Sequence, residues 1–166
     1  MTEEERRKRV IESLKENLVS LKEAVENLQY TCEECRKISL DNISDNRDLN
    51  TFEELTSRFG RLWDILVDQI FKKIEILEGK KRLKRFTEKL FGGNLKLMDH
   101  IEQLGIIESA DSFFEVEELR NAIDNQYQFS IEEKTALFQY VLDDSEHFFK
   151  TADKVKDFVT SRYLGW

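Results

Sequence analysis

From Ile11 onward, apolar side chains recur at Leu14, Leu18, Leu21, Val25, Leu28, Cys32 and Cys35, at steps of three and four. That spacing draws one stripe along a helix and excludes the alternation of two that a strand needs. Thr2 followed by Glu5 forms a capping-box pattern, so the spacing predicts a helix from about residue 3 to 38. The 166 residues include no proline, which permits helices this long to run unbroken. A stripe of this kind closes either on a second chain as a coiled coil or on neighbouring helices of the same chain. The second is favoured because the rest of the sequence supplies partners.

Those partners follow in order. Asp41, Asn42, Ser44, Asp45, Asn46, Asp48 and Asn50 cluster as a loop. Thr51 with Glu54 then repeats the capping box. Leu55, Phe59, Leu62, Leu66, Ile70, Ile74 and Leu77 predict a second long helix that stops at Gly79. A short helix is expected from about 94 to 104, ending near Gly105. The next starts at Ser109, or at Ser112 with Glu115, and carries Phe113, Val116, Leu119, Ile123 and Tyr127 on one face. Ser130 with Glu133 opens a last helix through Leu137, Val141, Phe148, Ala152, Val155 and Val159 to about Arg162. The expected fold is all-α: an up-and-down bundle of four to five main helices, with residues 1–166 as one domain. Charged residues at 36% and apolar residues at 40% suit helices with one buried face and one solvated face.

Charge and cysteines narrow the function. A net charge of −8 does not favour general attraction to a phosphate backbone. Any contact with RNA falls to the basic run Lys80, Lys81, Arg82, Lys84, Arg85 and Lys89. No stretch approaches the roughly 18 apolar residues of a membrane span. The acidic N-terminus lacks a signal-peptide layout, so a cytoplasmic address is expected. Cys32-x-x-Cys35 has no second Cys or His pair to complete a zinc site, since the only histidines are His100 and His147. Both cysteines fall on the apolar stripe and are expected to be small core residues. Neither metal nor cofactor is expected.

One run carries chemistry: Leu119-Arg120-Asn121-Ala122-Ile123-Asp124-Asn125-Gln126-Tyr127. It resembles the signature of the HEPN superfamily, in which an Arg and a polar neighbour precede a His, and one branch adds a Tyr two residues after the His. Here Arg120, Asn121 and Tyr127 match, and Asn125 stands where the His would be. Two further blocks resemble HepT-like members of that superfamily, Thr56-Ser-Arg-Phe-Gly-Arg-Leu-Trp-Asp-Ile-Leu66 and Leu104-Gly-Ile-Ile-Glu-Ser-Ala-Asp111. Their order and spacing agree over about residues 10–160.

The resemblance implies a homodimer with a composite site, metal-independent ribonuclease chemistry, and a role as the toxin-type partner of a minimal nucleotidyltransferase antitoxin. It implies that Arg120 stabilises phosphate charge, and that the partner enzyme modifies Tyr127 with AMP. The expected catalytic positions are Arg120, Asn121 and Asn125. An amide at 125 only donates and accepts hydrogen bonds and cannot move a proton as an imidazole does, so weak cleavage or none is expected. The alternative is a non-catalytic HEPN binding module that holds a nucleotidyltransferase or binds nucleotide or RNA. On one helix, positions 120 and 125 lie roughly 140° apart around the axis. They converge only if the helix end distorts or a second chain contributes. Arg58, Arg61 and Asp64 are expected to support the site. Arg61 and Asp64 are spaced to pair with each other, or one of them reaches across to orient Arg120. Tyr127 either seals a helix end or serves as the modification site.

Overall fold

Every described stretch of backbone that organises at all coils into helix, as the spacing of the apolar residues requires. The computed structural model describes residues 1–43, 45–78 and 93–165. Helix α1 is Glu3–Arg36, capped by the reciprocal Thr2–Glu5 bonds. A short 3-10 turn at Leu40–Asn42 leads to α2, Asn46–Trp63. The chain then continues without a break through a π-helical segment, Asp64–Phe71, into α3, Lys72–Glu78. Helix α4 is Gly93–Gln103, α5 is Ala110–Asp124 and α6 is Ile131–Val159, which runs on through a π turn at Thr160–Leu164. Among the described residues there is no strand. Gly79 and the basic run from Lys80 to Lys89 lie outside the described residues.

Pairwise contacts give the topology. Along α1 and the rod from α2 to α3, Arg7 meets Leu77, Asn17 meets Gln69, and Cys35 meets Thr51, so the two run antiparallel. Helix α5 opposes α2, with Phe113 against Trp63 and Gln126 against Thr56. Helix α6 runs parallel to α2, with Phe52 on Phe138 and Phe59 on Phe148. The chain is an all-α up-and-down bundle, and the stripe on α1 closes within it, against α2 and α6.

That stripe is shifted from the expected one. Leu14, Leu21, Leu28, Cys32 and Cys35 are buried as expected. Between them the buried positions include Asn17, Ala24 and Thr31, while Leu18 and Val25 are only half-buried. Asn17 is tolerated because its Nδ2 donates to Gln69 Oε1 at 2.7 Å, and Thr31 because its hydroxyl donates to the Asn27 carbonyl at 3.0 Å. Burial raises the pKa of both thiols and pushes Cys35 up to about 12, with the neighbouring Cys32 adding to the effect. At neutral pH the two remain protonated, unreactive core residues.

Helix α2 starts before Thr51. Asp45 caps it, accepting from the Arg47 amide at 2.9 Å, and Leu49 anchors the polar first turn on the core. The Thr51 hydroxyl instead bonds back to the Arg47 carbonyl at 3.1 Å. Ser109, not Ser112, opens α5, and Ser130 with Glu133 opens α6 as a capping box. Gly105, at φ +78°, makes the turn after α4 in a conformation that side chains disfavour.

The end of the rod is tied to the C-terminal turn. Glu78 accepts from Arg162 Nε at 2.6 Å and Nη2 at 2.9 Å, and from the Tyr163 hydroxyl at 2.6 Å. The Arg162 hydrogen bonds hold the Glu78 carboxyl below the usual carboxylate range, against the opposing effect of burial. A carboxyl with a lowered folded-state pKa stabilises the fold above its unfolded value of about 4.3 and loses that contribution as pH falls through the folded value. Glu78→Gln is therefore expected to be less stable than the parent at pH 7, with the gap closing on acidification below about pH 4. Urea unfolding of both proteins at pH 7 and pH 3 checks this; a gap that stays constant contradicts it.

Candidate functional site

Arg120 sits one turn before the end of α5, on the side facing α2, with its side chain 21% exposed. It crosses α2 at Gly60, where a Cβ would come within 3.2 Å of both Cζ and Nε of the arginine. The absence of a side chain at 60 is what lets the guanidinium lie down. Two carboxylates then hold it. Nη1 pairs with Asp124, four residues on in the same helix, and Nη2 lies 3.5 Å from Asp64 Oδ2. Asp64 is the first residue of the π-helical segment, one α-turn beyond Gly60 and so on the same face. Burial opposes the charge on Arg120, but the hydrogen bond to Asp124 and the field of Asp64 outweigh it and raise its pKa. The Arg120 Nε–H is buried and meets no acceptor among the described residues.

The segment after α5 is pinned by one amide. Thr56, fully buried on α2, donates to the Glu53 carbonyl at 2.9 Å and accepts from Gln126 Nε2 at 3.0 Å. Gln126 Oε1 is buried with no donor among the described residues. Around these groups runs a groove of about 690 Å³ between α2, α5 and the start of α6. Its charged lining is three carboxylates, Glu53, Asp64 and Asp124, facing three cations, Arg61, Arg120 and Lys134.

The expected site residues divide. Arg120, Asp64, Arg61 and Tyr127 line the groove. Asp64 turns to Arg120, and Arg61 stays exposed on the rim with no partner among the described residues. Arg58 departs from expectation. Two residues before Gly60 it projects about 200° around the helix, away from α5. It donates to the Asn27 carbonyl at 3.1 Å and to Thr31 Oγ1 at 2.5 Å, and pairs with Glu54 at 2.8 Å, so it fastens α2 to α1.

Asn121 is exposed outside the groove lining. So is Asn125, at the helix C-cap with φ −105° and ψ 5°, its Nδ2 donating to the Asn121 carbonyl at 2.9 Å. Helix α5 therefore ends at Asp124, and Tyr127 is not on its apolar face. Tyr127 stands in a 3-10 turn, 74% exposed, its hydroxyl accepting from Gln128 Nε2 at 3.1 Å. Lys80, Lys81, Arg82, Lys84 and Arg85 lie outside the described residues.

Four residues central to this geometry were missed from sequence: Gly60, Asp124, Thr56 and Gln126. Asp124 was detectable, as an acid four residues after Arg120. Gly60 was detectable as the gap one turn before Asp64. Thr56 and Gln126 carried no signal.

Among the described residues, the groove lining holds neither an imidazole nor a thiol, the side chains that most readily carry a proton near neutral pH. His100 pairs with Glu75 at the contact between α4 and α3, away from the groove. Among the described residues, no group of three or more His, Cys, Asp or Glu side chains is placed to hold a metal, and no helix is long and apolar enough to cross a membrane. Comparison of the chain with protein-family models, with curated proteins and with solved structures finds no match.

Proposed function

We propose that the chain is a HepT-like HEPN protein, the toxin-type partner of a minimal nucleotidyltransferase, whose Arg120 groove holds nucleotide or RNA phosphate without cutting the chain. Three blocks of sequence resemblance support the family. One observation speaks against cleavage: the Asn125 amide is committed to the Asn121 carbonyl and stands outside the groove that Arg120 lines. A ribonuclease of this type needs a proton carrier beside the guanidinium, and position 125 offers an amide that faces its own backbone.

Incubation of the purified protein with single-stranded RNA tests this. The RNA is expected to stay intact, and fluorescence anisotropy of a labelled strand is expected to report weak, salt-sensitive binding that Arg120→Ala removes. Cleavage by the parent chain that disappears in Arg120→Ala would overturn the non-catalytic reading. Cleavage by Asn125→His alone would identify a nuclease disarmed at one position. In the proposed arrangement two copies pair across their α5 helices, so sedimentation is expected to give twice the mass of the 19.8 kDa chain.

A further inference from the structure

We infer that Asp124 is a built-in competing anion: it occupies the Arg120 guanidinium and keeps the groove closed to phosphate until its side chain swings away. The inference rests on the proposed reading of the groove as a phosphate site and names how that site is regulated.

The two carboxylates on Arg120 are not equivalent. The backbone of Asp64 is held in the continuous rod from α2 to α3, on the same face as Gly60, and its half-exposed carboxylate lies 3.5 Å from the guanidinium. Asp124 is the last residue of α5, its side chain 62% exposed, and the backbone leaves the helix at the very next position. Rotation of the Asp124 side chain therefore moves a mostly exposed group. Its position is also unfavourable for the helix, because an anion in the last turn faces the negative end of the backbone dipole. The compensating contact is the one to Arg120. A carboxylate on Nη1 takes the donors that a phosphate oxygen would use, and its charge repels a phosphate approaching the same groove. With Asp124 withdrawn, Nη1 opens toward a groove that already offers Arg61 without a partner among the described residues, and Lys134 held only 4.0 Å from Glu53.

Titration with inorganic phosphate, followed on the arginine side-chain NMR signals, tests the gate. Asp124→Asn keeps the shape and removes the charge, and is expected to bind phosphate about tenfold more tightly than the parent. Asp124→Ala is expected to do the same, so one poorly folding variant does not decide the matter. The gain is expected to vanish when Arg120→Ala is added. Asp153→Asn, which removes an exposed charge on α6 outside the groove lining, is expected to gain nothing. Equal phosphate affinity in parent and Asp124 variants overturns the gate, as does a gain that survives loss of Arg120 or is matched by Asp153→Asn. Labelled RNA separates the two claims. If the Asp124 variants gain phosphate but bind no RNA, the gate stands and the proposed function fails. If parent and variants bind RNA and phosphate equally, the function stands and the gate fails.

Discussion

Phe148→Ala is expected to cost about 3–5 kcal/mol of unfolding free energy, the range seen for truncating a buried aromatic ring. Phe148 is fully buried on α6, and its ring centre lies 4.7 Å from that of Phe59, 5.9 Å from Phe113 and 6.3 Å from Trp63. One side chain on α6 thus touches rings from both α2 and α5. Removing it takes away burial, leaves a cavity that rigid helices cannot collapse into, and ends three ring contacts together. Against a total stability of roughly 5–15 kcal/mol, that is a large fraction, and the melting temperature is expected to fall by roughly 6–20 °C. Urea unfolding should show a lower midpoint at an unchanged slope. A loss below about 1 kcal/mol would contradict the assignment of this cluster as the centre of the core. The site depends on the same cluster. Phe113 precedes Arg120 by two helical turns, and its contact with Trp63 at 5.5 Å sets the height at which Arg120 crosses Gly60.

The fold was readable because burial writes itself into spacing. Thr2 with Glu5 and Ser130 with Glu133 marked two helix starts through bonds made entirely within the first turn. Where the outcome depended on contacts between helices, the sequence was less informative. Asn17 and Thr31 reach the core of α1 because a second polar group meets each of them there, Gln69 and Arg58, and single-helix spacing carries no record of such partners. The π-helical run Asp64–Phe71 has no compositional mark, and its apolar residues read as ordinary helix. The same limit governs the site. Positions within α5 placed Arg120 and Asn125 on different sides of one helix. That Asp64 from another helix takes the guanidinium, and that Arg58 turns the opposite way, followed only from the phase of α2 relative to α5.

Thr56→Val is expected to loosen the turn that follows α5 and to cost about 1–3 kcal/mol, the penalty for stranding a buried polar partner. Valine matches threonine in shape, so packing around position 56 changes little. What is lost is the acceptor for Gln126 Nε2, together with the hydroxyl's own bond to the Glu53 carbonyl, and Gln126 Oε1 already has no donor among the described residues. The amide is left buried with neither end satisfied, or leaves for water and takes the 3-10 turn Gln126–Gln128 with it. Amide exchange at Gln128 and Phe129, whose N–H groups bond to the carbonyls of Asn125 and Gln126, is expected to accelerate at least about tenfold in the second case. A second substitution distinguishes a stranded partner from general damage. Replacing both members of a hydrogen bond by apolar groups of similar shape is close to neutral, whereas removing one is not. Thr56→Val combined with Gln126→Leu is therefore expected to regain most of the lost stability, while the turn stays fast-exchanging because its tether to α2 is gone. If the double variant is as unstable as Thr56→Val alone, the Thr56–Gln126 bond is not what fixes Tyr127 beside the groove.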